Sequence, residues 1–150
     1  MLFFGHVGLS LGAGKLVERL QRRIDFLFLG IGAIFPDADK LVSIGLGIGG
    51  RAFFHTAVFA IAITVVALAS RTVFMRSFAL GVWLHLLFDT IWTFPQTLFW
   101  PFLGTFSAET FHIDAAMQNA FLDPFILTTE VLGFAIVLLL VYKEKLYKKQ

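Results

Sequence analysis

The stretch Ala52 to Ser70, AFFHTAVFAIAITVVALAS, runs for nineteen residues without a carboxylate, lysine or arginine. About 20 apolar residues carry a helix across the hydrocarbon core of a bilayer, so the stretch reads as a membrane span. Ser77 to Phe94 and Phe125 to Tyr142 pass the same test, each eighteen residues long with a single acid. Leu2 to Gly14 and Ile24 to Pro36 are shorter, each worth roughly 20 Å of helix, and can be short spans, re-entrant pieces or buried helices. The whole chain agrees: 58% hydrophobic, 16% aromatic and only 15% charged residues, with a mean hydropathy of +0.84, lie outside the range of soluble domains. The expected fold is therefore all-α, a polytopic transmembrane helical bundle of about four to five helices forming a single domain over residues 1–150.

The charges give such a bundle an orientation. Lys15, Arg19, Arg22 and Arg23 follow the first run, Arg71 and Arg76 separate the third from the fourth, and Lys143, Lys145, Lys148 and Lys149 close the chain. If all five runs cross, these clusters share one face, which the positive-inside rule makes cytoplasmic, with the C-terminus on it. Asp37, Asp39, Glu109, Asp114 and Asp123 then fall on the other side. Short juxtamembrane basic groups are a topology signal and contact anionic lipid, so membrane lipid is an expected partner and nucleic acid is not. The first run lacks the basic leader and the small-residue cleavage site of a signal peptide and is expected to stay in the mature protein. Zero cysteines exclude disulfides and thiolate metal sites.

Loops are readable as well. Gly45 to Gly50, GLGIGG, reads as a flexible connection, since no GK[ST] follows to make it a phosphate loop. Pro95 to Pro124 forms a longer outer segment whose second half, AETFHIDAAMQNAFLD, can make an amphipathic surface helix.

Ionisable residues inside the apolar runs are the functional signal, because each costs at least about 2.5–3.5 kcal/mol at mid-membrane. His85 and Asp89 stand at i and i+4 in HLLFD, on one helical face. His55 opens the third run, Glu130 the fifth, and His6 the first, while FPDADK places Asp37 and Asp39 directly behind Pro36. Counted from the outer ends, His6, His55, Asp89 and Glu130 lie roughly 5–8 Å deep and His85 about 13 Å, so five segments send polar groups to one layer. Each has a plainer explanation, an interfacial hydrogen bond for a histidine, a turn or cap for Asp37-Ala38-Asp39, a helix start for Glu130. Together they favour a metal site. Imidazole with carboxylate suits zinc, manganese or iron(II). Of the one or two divalent ions expected, seven candidate ligands exceed the three of a usual mononuclear zinc and are accommodated better by a two-metal centre with one carboxylate bridging. Such a centre hydrolyses, above all, phosphoesters.

In their order the motifs resemble the membrane-bound, metal-dependent hydrolase family that includes the LexA-binding, inner-membrane-associated hydrolases. The family pattern of an early His, PDxD, HRGxTH, HxxxD followed by WP, and a late Glu is met by His6, PDAD at Pro36 to Asp39, GRAFFH at Gly50 to His55, HLLFD at His85 to Asp89 with LFWPF at Leu98 to Phe102, and TTEVLG at Thr128 to Gly133. The chain departs from it at Gly50, where the first His of HRGxTH would stand, and at Ala52 and Phe54. The resemblance implies an inner-membrane hydrolase acting on a small-molecule or lipid-derived phosphoester. His6, Asp37, Asp39, His55, His85 and Asp89 would hold the metal, Arg51 would hold a substrate phosphate, and Glu130 would be a further ligand or a general acid/base. Two other readings use the same residues: a divalent-cation transporter, and a structural or regulatory membrane protein whose site is inactive.

Overall fold

The computed structural model describes residues 2–20, 23–41, 50–106, 118 and 122–147, with side chains to residue 143. Every regular element among them is helical. The GLGIGG connection, apart from Gly50, and nearly all of the expected amphipathic surface helix lie outside the described residues. We number the principal helices α1 (Phe3–Arg19), α2 (Phe26–Ile34), α3 (Ala57–Ser70), α4 (Val73–Phe88) and α5 (Pro124–Tyr147).

Side-chain caps set three of the starts: Asp25 accepts from the Phe28 amide, Thr56 from Phe59 and Thr72 from Met75. Helix α3 ends at Arg71 in the left-handed region, φ 55°, and two residues later α4 begins, so the pair forms a tight antiparallel hairpin. Pro36 tightens the end of α2 into a 3₁₀ turn, Phe35–Asp37, as expected of a residue that cannot donate to the helical ladder.

The helices meet where they are smallest. A Cβ on Gly32 would overlap the backbone of Phe78, and one on Gly81 the backbone of α2 at Leu29, so α2 and α4 are in backbone contact. Helices α1 and α5 touch in the same way at Gly8 and Gly133. Close approach through small residues is how helices associate when the surrounding solvent offers no hydrophobic drive. Ala60, Val82, Leu86 and Ile91 form a compact apolar cluster, flanked by Phe59, Phe78 and Leu98.

Many large apolar side chains face outward, while several polar ones are buried. Leu27, Leu41, Val65, Leu68, Val131 and Leu139 are exposed, whereas His6, His55, His85, Ser10 and Ser77 are buried. That is the reverse of the distribution that water selects.

Two of the expected spans are shorter as helices than as sequence. Among the described residues only α5 is long and apolar enough to cross a bilayer by itself, through Pro124–Lys143 at a mean hydropathy of 2.3. Helix α3 has 14 residues and α4 has 16, or about 21 and 24 Å against a hydrocarbon core of about 30 Å. The missing turns have a physical cause. Ala52 to Thr56 are held out of α3 by hydrogen bonds to Asp39 and form the 3₁₀ turn Phe53–His55. At the other end, Asp89 ends α4 and Thr90 turns the chain at φ 50°.

Candidate metal centre

Pro36 also prepares the site. The carbonyl of Ala33 lies in the last turn of α2, where helical carbonyls lack intrahelical donors. It accepts from His85 Nδ1 at 2.7 Å across the α2–α4 contact. A carbonyl only accepts, so His85 carries its proton on Nδ1 and presents a bare Nε2.

His55 is fixed in the same tautomer by a carboxylate. Asp39, buried, receives on one oxygen, Oδ2, the amides of Ala52 and Phe54 at 2.9 Å and the Nδ1 of His55 at 3.0 Å. The 3₁₀ turn that shortens α3 is therefore the device that aims His55. Its Nε2 faces the Nε2 of His85 at 3.2 Å. Two lone pairs at that distance repel, and only a proton or a metal ion between them makes the arrangement attractive. Nitrogens that are each about 2.0–2.1 Å from one tetrahedral ion sit about 3.3 Å apart, so the observed spacing fits a shared ion.

Carboxylates and a third imidazole surround this pair. Asp89 Oδ2 lies 3.9 Å from His55 Nε2, and Asp89 Oδ1 lies 3.7 Å from His6 Nε2. Asp37 Oδ1 lies 3.7 Å from His85 Nε2. The His6 ring stacks on His85 with centroids 4.0 Å apart, and although fully buried it has no hydrogen bond at either nitrogen among the described residues. A buried polar group without a partner is costly, so an unpartnered imidazole aimed into a carboxylate cluster fits a missing ligand.

Two triads have ligand atoms within 4.8 Å of one another: His6, Asp37 and His85, and His55, His85 and Asp89. Both run through His85 Nε2, which has one lone pair and can serve one ion. The described residues thus accommodate a single ion with His85 at its hub more readily than two. Gly50, where the resembled pattern has its additional His, offers no side chain for a second.

Each carboxylate of the triads also meets a cation of the chain. Asp89 stands at the C-terminus of α4, where the helix dipole disfavours an acid. Arg51 compensates it: Nε donates to Asp89 Oδ2 at 2.6 Å while the guanidinium lies 4.6 Å from the centroid of Phe94. Lys40 Nζ lies 2.5 Å from Asp37 Oδ1, an ion pair in which that oxygen lacks a properly aligned hydrogen bond.

Sequence reasoning named six ligands, and the geometry separates them. His6, Asp37, His55, His85 and Asp89 converge, while Asp39 stands behind His55 as the group that orients it. Arg51 is first of all the counter-charge of Asp89. Glu130 belongs elsewhere. Its carboxylate accepts the amides of Leu2 and Gly5 on Oε1, at 2.8 and 2.9 Å, and of Phe4 on Oε2 at 2.8 Å, capping α1 from α5. It joins neither triad. Lys40 and the Ala33 carbonyl were not foreseen; the i,i+3 spacing of Lys40 to Asp37 was the available signal for the first, and nothing in the sequence marks the second.

The family model described as YdjM inner membrane protein matches residues 1–147. The chain belongs to that family. No curated protein and no solved structure matches it. Membership makes this YdjM-family chain an inner membrane protein, in keeping with its apolar exterior and with α5. The description names no reaction, no metal and no partner, so the hydrolase and LexA-binding parts of the resemblance rest on the motifs alone.

Proposed function

We propose that this protein is a polytopic inner-membrane hydrolase that uses one divalent ion, zinc or manganese, against a phosphoester. The observation that carries the proposal is the facing pair of His55 and His85 Nε2 atoms at 3.2 Å, each ring locked by an acceptor at its other nitrogen. His55, His85 and Asp89 would hold the ion, and His6 and Asp37 complete its surroundings. A divalent ion held there supplies Lewis-acid activation of water near neutral pH.

The chain's own groups do the positioning. Asp39 keeps His55 in the ligating tautomer, as outer carboxylates do for metal-bound imidazoles. Arg51 holds Asp89 in place while its side chain stays 36% exposed, and Lys40 is 28% exposed beside Asp37. Two partly accessible cations next to the cluster favour an anionic substrate, and a guanidinium suits phosphate in particular. The cluster lies at the end of α2 and the start of α3, the end opposite to the basic connection Arg71-Thr72. With the basic clusters in the cytoplasm, the centre would open toward the outer face and the C-terminus would be cytoplasmic.

The test is turnover by purified full-length protein in detergent, with a chromogenic phosphodiester and a lipid phosphoester offered in parallel. The expected outcome is metal-dependent release that a chelator abolishes, that Asp89→Ala loses and that Glu130→Gln keeps. Absence of turnover on both substrates with zinc and with manganese, in protein that binds the metal, rejects hydrolysis.

A further inference from the structure

The turn that aims His55 has a second face. Phe53, Phe54 and Thr56, with Val58, Phe59, Ala62, Trp100 and Asp39, line an open groove of about 570 Å³. That volume falls within the range of small-molecule sites. Trp100 is braced there by edge contact with Phe53 and by stacking on Phe106, each with centroids 5.1 Å apart. The groove's lining is mostly apolar side chain, and two of its polar atoms are already engaged. Thr56 Oγ1 donates to the Phe53 carbonyl at 2.8 Å and accepts from the Phe59 amide at 3.0 Å, and Asp39 Oδ2 receives three donors. An occupant rich in hydrogen-bonding groups would find few partners among these side chains, and burying such groups unpaired is costly. The groove therefore selects hydrocarbon.

Its position says which hydrocarbon. The chain is an inner membrane protein, and the groove is cut into the apolar flank of α3, where Phe53 and Val58 are exposed beside Ile61 and Val65. It shares Asp39 and the Phe53–His55 turn with the cluster, and Arg51, two residues before that turn, contacts Asp89. We infer that the groove holds a single acyl chain of a membrane lipid, the tail of a substrate whose phosphoester head would reach the cluster past Arg51. The assignment of head to cluster rests on the proposed function; occupancy by a tail does not.

The experiment uses full-length protein in nanodiscs containing a phospholipid with a diazirine on its acyl chain, with adducts mapped by peptide mass spectrometry after illumination. Labelling per residue is expected to be several-fold higher on Phe53 to Ala62 and on Trp100 than on the lipid-facing residues of α5 around Val131 and Leu139. Ala62→Trp, which fills the groove, should remove that excess while metal content stays unchanged; Val58→Trp serves if the first variant does not fold. Equal labelling of groove and α5, or an excess that survives both substitutions, overturns the proposal. His85→Ala separates the two readings: groove labelling that persists without bound metal is expected. A wild-type protein that labels the groove but binds no metal rejects the hydrolase and keeps the tail site.

Discussion

Glu130 and His6 are both ionisable groups set in apolar runs, and the fold treats them in opposite ways. Glu130, on α5, is saturated by three amides at the start of α1, so its charge is spent on joining two helices. His6, one residue beyond the last of those amides, is buried without a hydrogen bond among the described residues and lies against a second histidine and a carboxylate. The first arrangement is complete as it stands, and the second leaves both imidazole nitrogens of His6 without a hydrogen bond among the described residues. In these two residues the unsatisfied group is the functional candidate and the satisfied one a structural joint.

Substitutions should pull these regions apart. His85→Ala removes the atom common to both triads and should act chiefly on metal binding, weakening it by about 100-fold or more, beyond the effect of losing an outer-shell group. A secondary loss of thermal stability is expected from the emptied buried site and the unpaired Ala33 carbonyl; titration of the folded fraction with zinc reads the first quantity and a melting curve in detergent the second. Glu130→Ala should do the reverse. Three amides at a helix start lose a charged acceptor, which costs about 2 kcal/mol or more, so the melting temperature should fall while metal affinity in the folded fraction changes less than for His85→Ala. A Glu130→Ala protein that melts like the wild type but no longer binds metal would move Glu130 into the centre.

Asp39→Asn sharpens the boundary between the regions, because Asp39 is both a structural acceptor and the partner of His55. Loss of the carboxylate behind a ligating imidazole should cost about tenfold in metal affinity, visible in the same titration. The smallest effect belongs to a contact outside both regions: Trp83 Nε1 donates to Thr64 Oγ1 at 2.9 Å between α4 and α3. Thr64→Val should cost about 0.6 kcal/mol, the usual worth of an interhelical hydrogen bond in a membrane, and leave metal binding unaltered.

Much of this was readable in the sequence, and the rest was not for definite reasons. Apolar runs located the helices, and Pro36 located the end of α2 together with the acids behind it. The run from Ala52 promised five residues of helix that do not form, because the acceptor that diverts them, Asp39, lies thirteen residues upstream of Ala52 and on another element. The shared depth of the polar residues brought His6, Asp37, Asp39, His55, His85 and Asp89 into one layer, but depth carries no azimuth. It therefore could not separate them from Glu130, which serves amides 125 to 128 residues away. The helix contacts at Gly8, Gly32, Gly81 and Gly133 were announced by small residues in apolar runs and are a signal that spacing of polar groups alone passes over.

The central claim is that the facing imidazoles hold a metal ion and not merely a shared proton. The most direct measurement is the metal content of full-length protein purified without chelator, by inductively coupled plasma mass spectrometry, for the wild type and His85→Ala. The account predicts about one divalent ion per wild-type chain, retained or regained on adding zinc or manganese, and close to none in the variant. Wild-type protein with less than about 0.2 ion per chain, and no uptake of either added metal, would contradict it.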